Sequence, residues 1–107
     1  MAAEPAPRES FIREARAGGE VWSISSADGL PAVERSDGET AVPFWSMADR
    51  ATRFVNTVAT FQKFEAQAID LDTWLFGWLP QLAESGHMVG LNWSGDPERE
   101  GSLSPTR

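Results

Sequence analysis

Cysteine and tyrosine are missing from this 107-residue chain, and lysine and histidine occur once each, as Lys63 and His87. Without cysteine there is no disulfide, no thiolate nucleophile and no zinc–thiolate site. A single lysine beside eight arginines reads as the composition of a GC-rich genome rather than as function. No stretch approaches the roughly 18 apolar residues of a membrane-crossing helix. The start, Met1-Ala2-Ala3-Glu4-Pro5-Ala6-Pro7, lacks the basic-then-apolar pattern of a signal peptide, so the expected compartment is the cytoplasm. Basic charge is also scarce: the formal net charge is −7. Such a chain repels phosphate backbones and anionic lipid, so neither nucleic acid nor membrane is an expected partner. Solubility is the plain use of that charge.

Aromatics and aliphatics fill the gap. Hydrophobic residues make up 41%, with five Trp and six Phe, and one large ring buries roughly 150–250 Å². A chain of this length has room for one small core with a narrow stability margin. The expected organisation is a disordered segment over 1–7, one domain over 8–95, and a flexible Gly/Ser/Pro-rich tail over 96–107.

Helix one is expected over Arg8–Ala17, with Pro7 near its first turn, Phe11, Ile12 and Ala15 on its apolar face, and Gly18-Gly19 as its stop. Strands follow over Glu20–Ser25, Leu30–Arg35 and Glu39–Phe44, joined by turns at Asp28-Gly29 and Asp37-Gly38, and these read as antiparallel neighbours. Pro43 cannot donate to a ladder, which marks the third strand as an edge or as ending there. Helix two is expected over Met47–Thr57, with Ser46 as N-cap and Asp49 completing a capping box. Met47, Ala51, Phe54, Val55 and Val58 line its inner side. A strand over Phe64–Ile69 leads to a third helix capped by Asp70. Its stripe of Leu71, Trp74, Leu75, Trp78, Leu79 and Leu82 is the clearest period in the chain. Pro80 predicts a kink or restart within it, and Gly86 its end. A last strand covers His87–Trp93. The order α-β-β-β-α-β-α-β predicts an α+β domain, a mostly antiparallel sheet of about five strands with three helices packed on one face.

Several of these segments, in this order, resemble the DUF2750 family, bacterial proteins built on a domain of unknown function. They are Phe11-Ile12, Glu20-Val21-Trp22, Val42-Pro43-Phe44-Trp45, and Ile69-Asp70-Leu71 followed by Trp78-Leu79-Pro80-Gln81-Leu82. The resemblance spans about residues 8–93. The Ala/Pro-rich start and the short tail depart from it, since members are expected to carry a longer acidic extension. It implies an α+β fold, no established activity and no catalytic residues to carry over.

The residues themselves offer little chemistry. A catalytic triad would need His87 as base, yet no strained nucleophile turn surrounds any serine. Asp70 and Asp72 flank a helix start, where carboxylates are explained by the helix dipole. Asp28, Glu34, Asp37 and Glu39 lack the alternating spacing of a calcium loop, which leaves at most weak cation binding at those turns. Gly18-Gly19 and Ser94-Gly95 match neither phosphate-binding fingerprint. No catalytic residue, cofactor or metal is therefore expected. Trp45, between the edge-strand proline and the N-cap of helix two, and Trp93, at the end of the last strand, are the tryptophans expected to stay partly exposed, with Arg50 beside Trp45. Exposed Trp with Arg is the composition of binding hot spots. The competing reading makes Trp45 a staple on the start of helix two. The leading expectation is a non-enzymatic protein-binding domain steered toward a basic partner, for example an immunity or antitoxin-like protein. The alternatives are a small-molecule binder or enzyme with a cleft near Trp45, and a self-associating structural protein.

Overall fold

The structure, a computed structural model, describes residues 7–34 and 38–95. Residues 1–6 of the segment over 1–7 expected to be disordered, Arg35, Asp37 of the second hairpin turn, and the tail over 96–107 lie outside the described residues.

Helix α1 (Pro7–Gly18) has proline in its first turn, where an N–H would have no helical partner. It stops where Gly19 turns to φ +76° and donates its N–H to the Ala15 carbonyl at 2.7 Å. Its inner face, Phe11 and Ala15 with Ile12 beside them, packs in the core.

Strand β1 (Glu20–Ser25) runs antiparallel to β4 (Glu65–Asp70), from Glu20 opposite Asp70 to Ser25 opposite Glu65. A second sheet has the order β2-β3-β5, with β2 (Val33–Glu34) antiparallel and β5 (Met88–Leu91) parallel to the central β3 (Thr40–Phe44). The expected meander of the first three strands is thus corrected: β1 takes β4, not β2, as its partner. One cause is local. Pro31 has no N–H to give a ladder, and the second strand shrinks to Val33–Glu34.

Strand β3 is not an edge, and its geometry explains how it tolerates Pro43. Trp22 and Trp45 exchange N–H···O bonds of 2.7 and 2.6 Å, which joins the two sheets. Two residues further along, the next such pair would match Ile24 with Pro43, and the proline ends the ladder there. Its missing donor faces β1, not β5. The buried Ser23 hydroxyl donates to the Pro43 carbonyl at 2.8 Å, satisfying the group left over.

Alternation along β3 then divides the core. Val42 and Phe44 join Phe11, Val21, Ile69, Trp74 and Val89 in one cluster. Ala41 and Trp45 join Ile24, Ala51, Phe54, Val55, Phe61 and Trp93 in another. A sheet apolar on both sides needs cover on both. The expectation of helices on one face is corrected accordingly: α1 and the third helix cover one side, and α2 (Ala48–Thr57) with the 3-10 turn Ala59–Phe61 covers the other.

The third helix spans residues 71–84. It begins as α3 (Leu71–Thr73), passes through a π-helical turn (Trp74–Trp78), and ends as α4 (Leu79–Glu84). Asp70 is its N-cap, accepting from the Thr73 N–H at 3.2 Å, as the sequence leads one to expect. The restart expected at Pro80 is this π turn. Pro80 has no N–H for a partner one turn back, and Leu79 instead bonds across the wider turn to the Trp74 carbonyl. Leu71, Leu75, Trp78, Leu79 and Leu82 pack half-buried on the first core around the buried Trp74. Trp74 Nε1 has no acceptor among the described residues.

Candidate functional site

Trp45, Arg50 and Trp93 do come together, but not as an exposed patch. Trp45 is 0% and Trp93 1% exposed. The expectation that both stay partly exposed is corrected, and the reason is on their own strands. Asn92, at φ +55°, bends the chain just after β5. The Trp93 indole then folds back over Gly90, filling the space where a side chain would stand. Trp45 Nε1 donates to the Trp93 carbonyl at 2.8 Å, and both rings pack near Phe54.

Arg50 lies one turn into α2 and forks onto Glu14 of α1. Its Nη1 is 2.8 Å from Oε1 and its Nη2 3.3 Å from Oε2. The Ser46 hydroxyl donates to Glu14 Oε1 at 2.6 Å, and lies 3.4 Å from Arg50 Nη1 and 3.3 Å from Asn92 Oδ1. The Ser46 N–H donates to the same Asn92 oxygen at 3.0 Å. Ser46 is therefore not the N-cap of α2. Met47 holds that position, with no side-chain cap bond, and is 41% exposed rather than inward. The serine hydroxyl has gone to the carboxylate of another helix, a stronger, charge-assisted partner than a backbone amide. The Ser46 hydrogen bond, ahead of the Arg50 guanidinium, holds the Glu14 carboxyl below its ordinary value of 4.5, against the opposing effect of burial. Spacing alone signals none of this, since Glu14 and Asn92 lie 32 and 46 residues from Ser46.

Outside this network is a hollow of about 200 Å³ lined by Arg50, Arg53, Phe54, Asn92, Trp93 and Ser94. It is smaller than the ~300–1,000 Å³ of drug-sized ligand pockets. Among the described residues, no group of three or more His, Asp and Glu is gathered as a metal would need, and no helix is long and apolar enough to cross a membrane.

The most exposed large hydrophobic among the described residues is Phe76, at 71%, on the π turn. It was legible in the sequence as the aromatic that falls off the helix-three stripe, between Leu75 and Gly77. The chain segment around it is one-sided in charge, and the exposed cations on this side of the sheet, Arg13 and Arg16, belong to α1. From Phe64 to Gly95 there is no Lys or Arg, while Glu65, Asp70, Asp72 and Glu84 are all exposed.

Fold and site together define a small α+β domain, sheet-centred with helices on both sides. The chain belongs to the family described as "Protein of unknown function (DUF2750)", whose sequence pattern matches residues 8–105. No curated protein matches it. Among solved structures it is similar to Anabaena Tic22 (protein transport), at 11% identity and a TM-score of 0.45, over 87% of this chain and 47% of that one. The chain thus spans about half the length of that protein.

Proposed function

We propose that this domain binds another protein, and that the third helix presents the contact surface. The observation that carries the reading is Phe76, an aromatic ring 71% exposed on a π-helical turn. π turns recur at functional sites, and aromatic side chains, Phe among them, are enriched in the buried cores of protein interfaces. Asp72 stands one turn before it, Asp70 caps the helix and Glu84 ends it. With no cation between Phe64 and Gly95, this face steers toward a basic partner with an apolar socket for the ring.

An immunity or antitoxin-like protein is one form of this reading, in the cytoplasm and with a basic toxin as partner. The Trp45 end suits a macromolecular contact less well, because its indoles are buried and Arg50 is held by Glu14. The test is capture by the immobilised full chain from extract of its native cell. The expected result is a basic protein retained at low salt, released as salt screens the acidic face, and not retained by Phe76→Ala. Equal retention by wild type and F76A would overturn the reading, as would recovery of the chain itself alone.

A further inference from the structure

We infer that the hollow between α2 and the turn after β5 is a binding site for a small carboxylate. Its lining is rich in donors and carries no acid: Arg50, Arg53, Asn92 and Ser94 surround it, with Phe54 and Trp93 at its base. In a chain of net charge −7, a concavity lined by two arginines and no acid departs from the general surface.

The charges there do not cancel. Arg50 is forked onto Glu14, which neutralises it. Arg53, three residues on and facing the same hollow, has no ion pair or hydrogen bond among the described residues. Arg53 is thus the lining guanidinium with no acid bonded to it, and with Asp49 beside it in the neighbouring concavity the positive charge to be met is at most one, which suits a monoanion better than a phosphate dianion. The Asn92 amide is oriented by its own bonds: Oδ1 accepts from the Ser46 N–H, so its NH2 points away from Ser46 as a donor. Asn92 itself sits in the left-handed region, at φ +55°. Arg53, Asn92 Nδ2 and the Ser94 hydroxyl are the groups that would hold the two carboxylate oxygens, and charge-assisted bonds of this kind are the strong ones. About 200 Å³ admits a short aliphatic acid and excludes a cofactor.

The test is a nuclear magnetic resonance titration of the full chain with acetate, propionate, inorganic phosphate and chloride at matched ionic strength. Acetate and propionate are expected to shift the Asn92 side-chain amide and Arg53 Nε–H along saturable curves, with chloride giving only a linear drift. Arg53→Gln, at an exposed position, is expected to weaken the carboxylates about tenfold while leaving the rest of the spectrum unchanged. Shifts no greater than those from chloride, saturation unaltered by R53Q, or tighter binding of phosphate than of acetate would each overturn the assignment.

Discussion

Trp93 occupies the space above Gly90. A methyl group built on that glycine falls inside the indole ring, well within van der Waals contact. The glycine backbone is not in the left-handed region, so its requirement is purely one of room. Gly90→Ala is expected to destabilise the domain by about 1–3 kcal/mol or more, the range for overpacking a close-packed core. Urea unfolding measures it, and Ala at Gly95, where nothing crowds a side chain, serves as the comparison with little effect.

Two tryptophans invite opposite expectations. Trp45 Nε1 has the Trp93 carbonyl as its acceptor at 2.8 Å, while the buried Trp74 Nε1 has none among the described residues. Phenylalanine at 45 removes this hydrogen bond, at a cost of about 0.5–1.5 kcal/mol beyond lost packing. Phenylalanine at 74 removes an unmet donor, which offsets part of its packing loss. W45F is therefore expected to lower the urea midpoint more than W74F, and the reverse order would show that the Trp45 bond contributes little.

Glu14 ties α1 to the start of α2 through Ser46 and Arg50. Its folded-state pKa lies below the ordinary value of 4.5, with the Ser46 bond as the first cause. A depressed carboxylate contributes stability that is fully present above its unfolded pKa and is lost as pH falls through the folded one. Stability is thus expected to drop on acidification below about pH 4.5. Ser46→Ala should raise the Glu14 midpoint in a carboxyl carbon titration and shrink that drop. An unchanged midpoint in S46A would assign the effect to Arg50 and Arg13.

The parts of the fold set by short-range chemistry were legible in the sequence. The Asp70 cap, the Gly19 stop, the Pro80 interruption and the third-helix stripe each follow from a few neighbouring residues, and the element order followed from them. Pairing was not legible. That β1 joins β4 depends on residues about 45 positions apart, and the Pro43 carbonyl inside the sheet finds its donor in a serine hydroxyl 20 residues away. Burial of Trp45 and Trp93 was hidden for a similar reason. Position after a strand end suggests exposure, but a left-handed Asn92 and a bare Gly90 fold Trp93 back onto the sheet. Phe76 was visible all along as the ring outside the stripe.

The proposed contact face is the third helix and not the Trp45 end. A photoreactive benzoylphenylalanine at position 76, expressed in the native cell and irradiated, tests it most directly, with the same group at exposed Gln62 as control. The account predicts one discrete adduct from position 76 to a basic protein, reduced by Asp72→Lys and absent from position 62. No adduct at 76, the same adducts from both positions, or an adduct only to a second copy of the chain would contradict it.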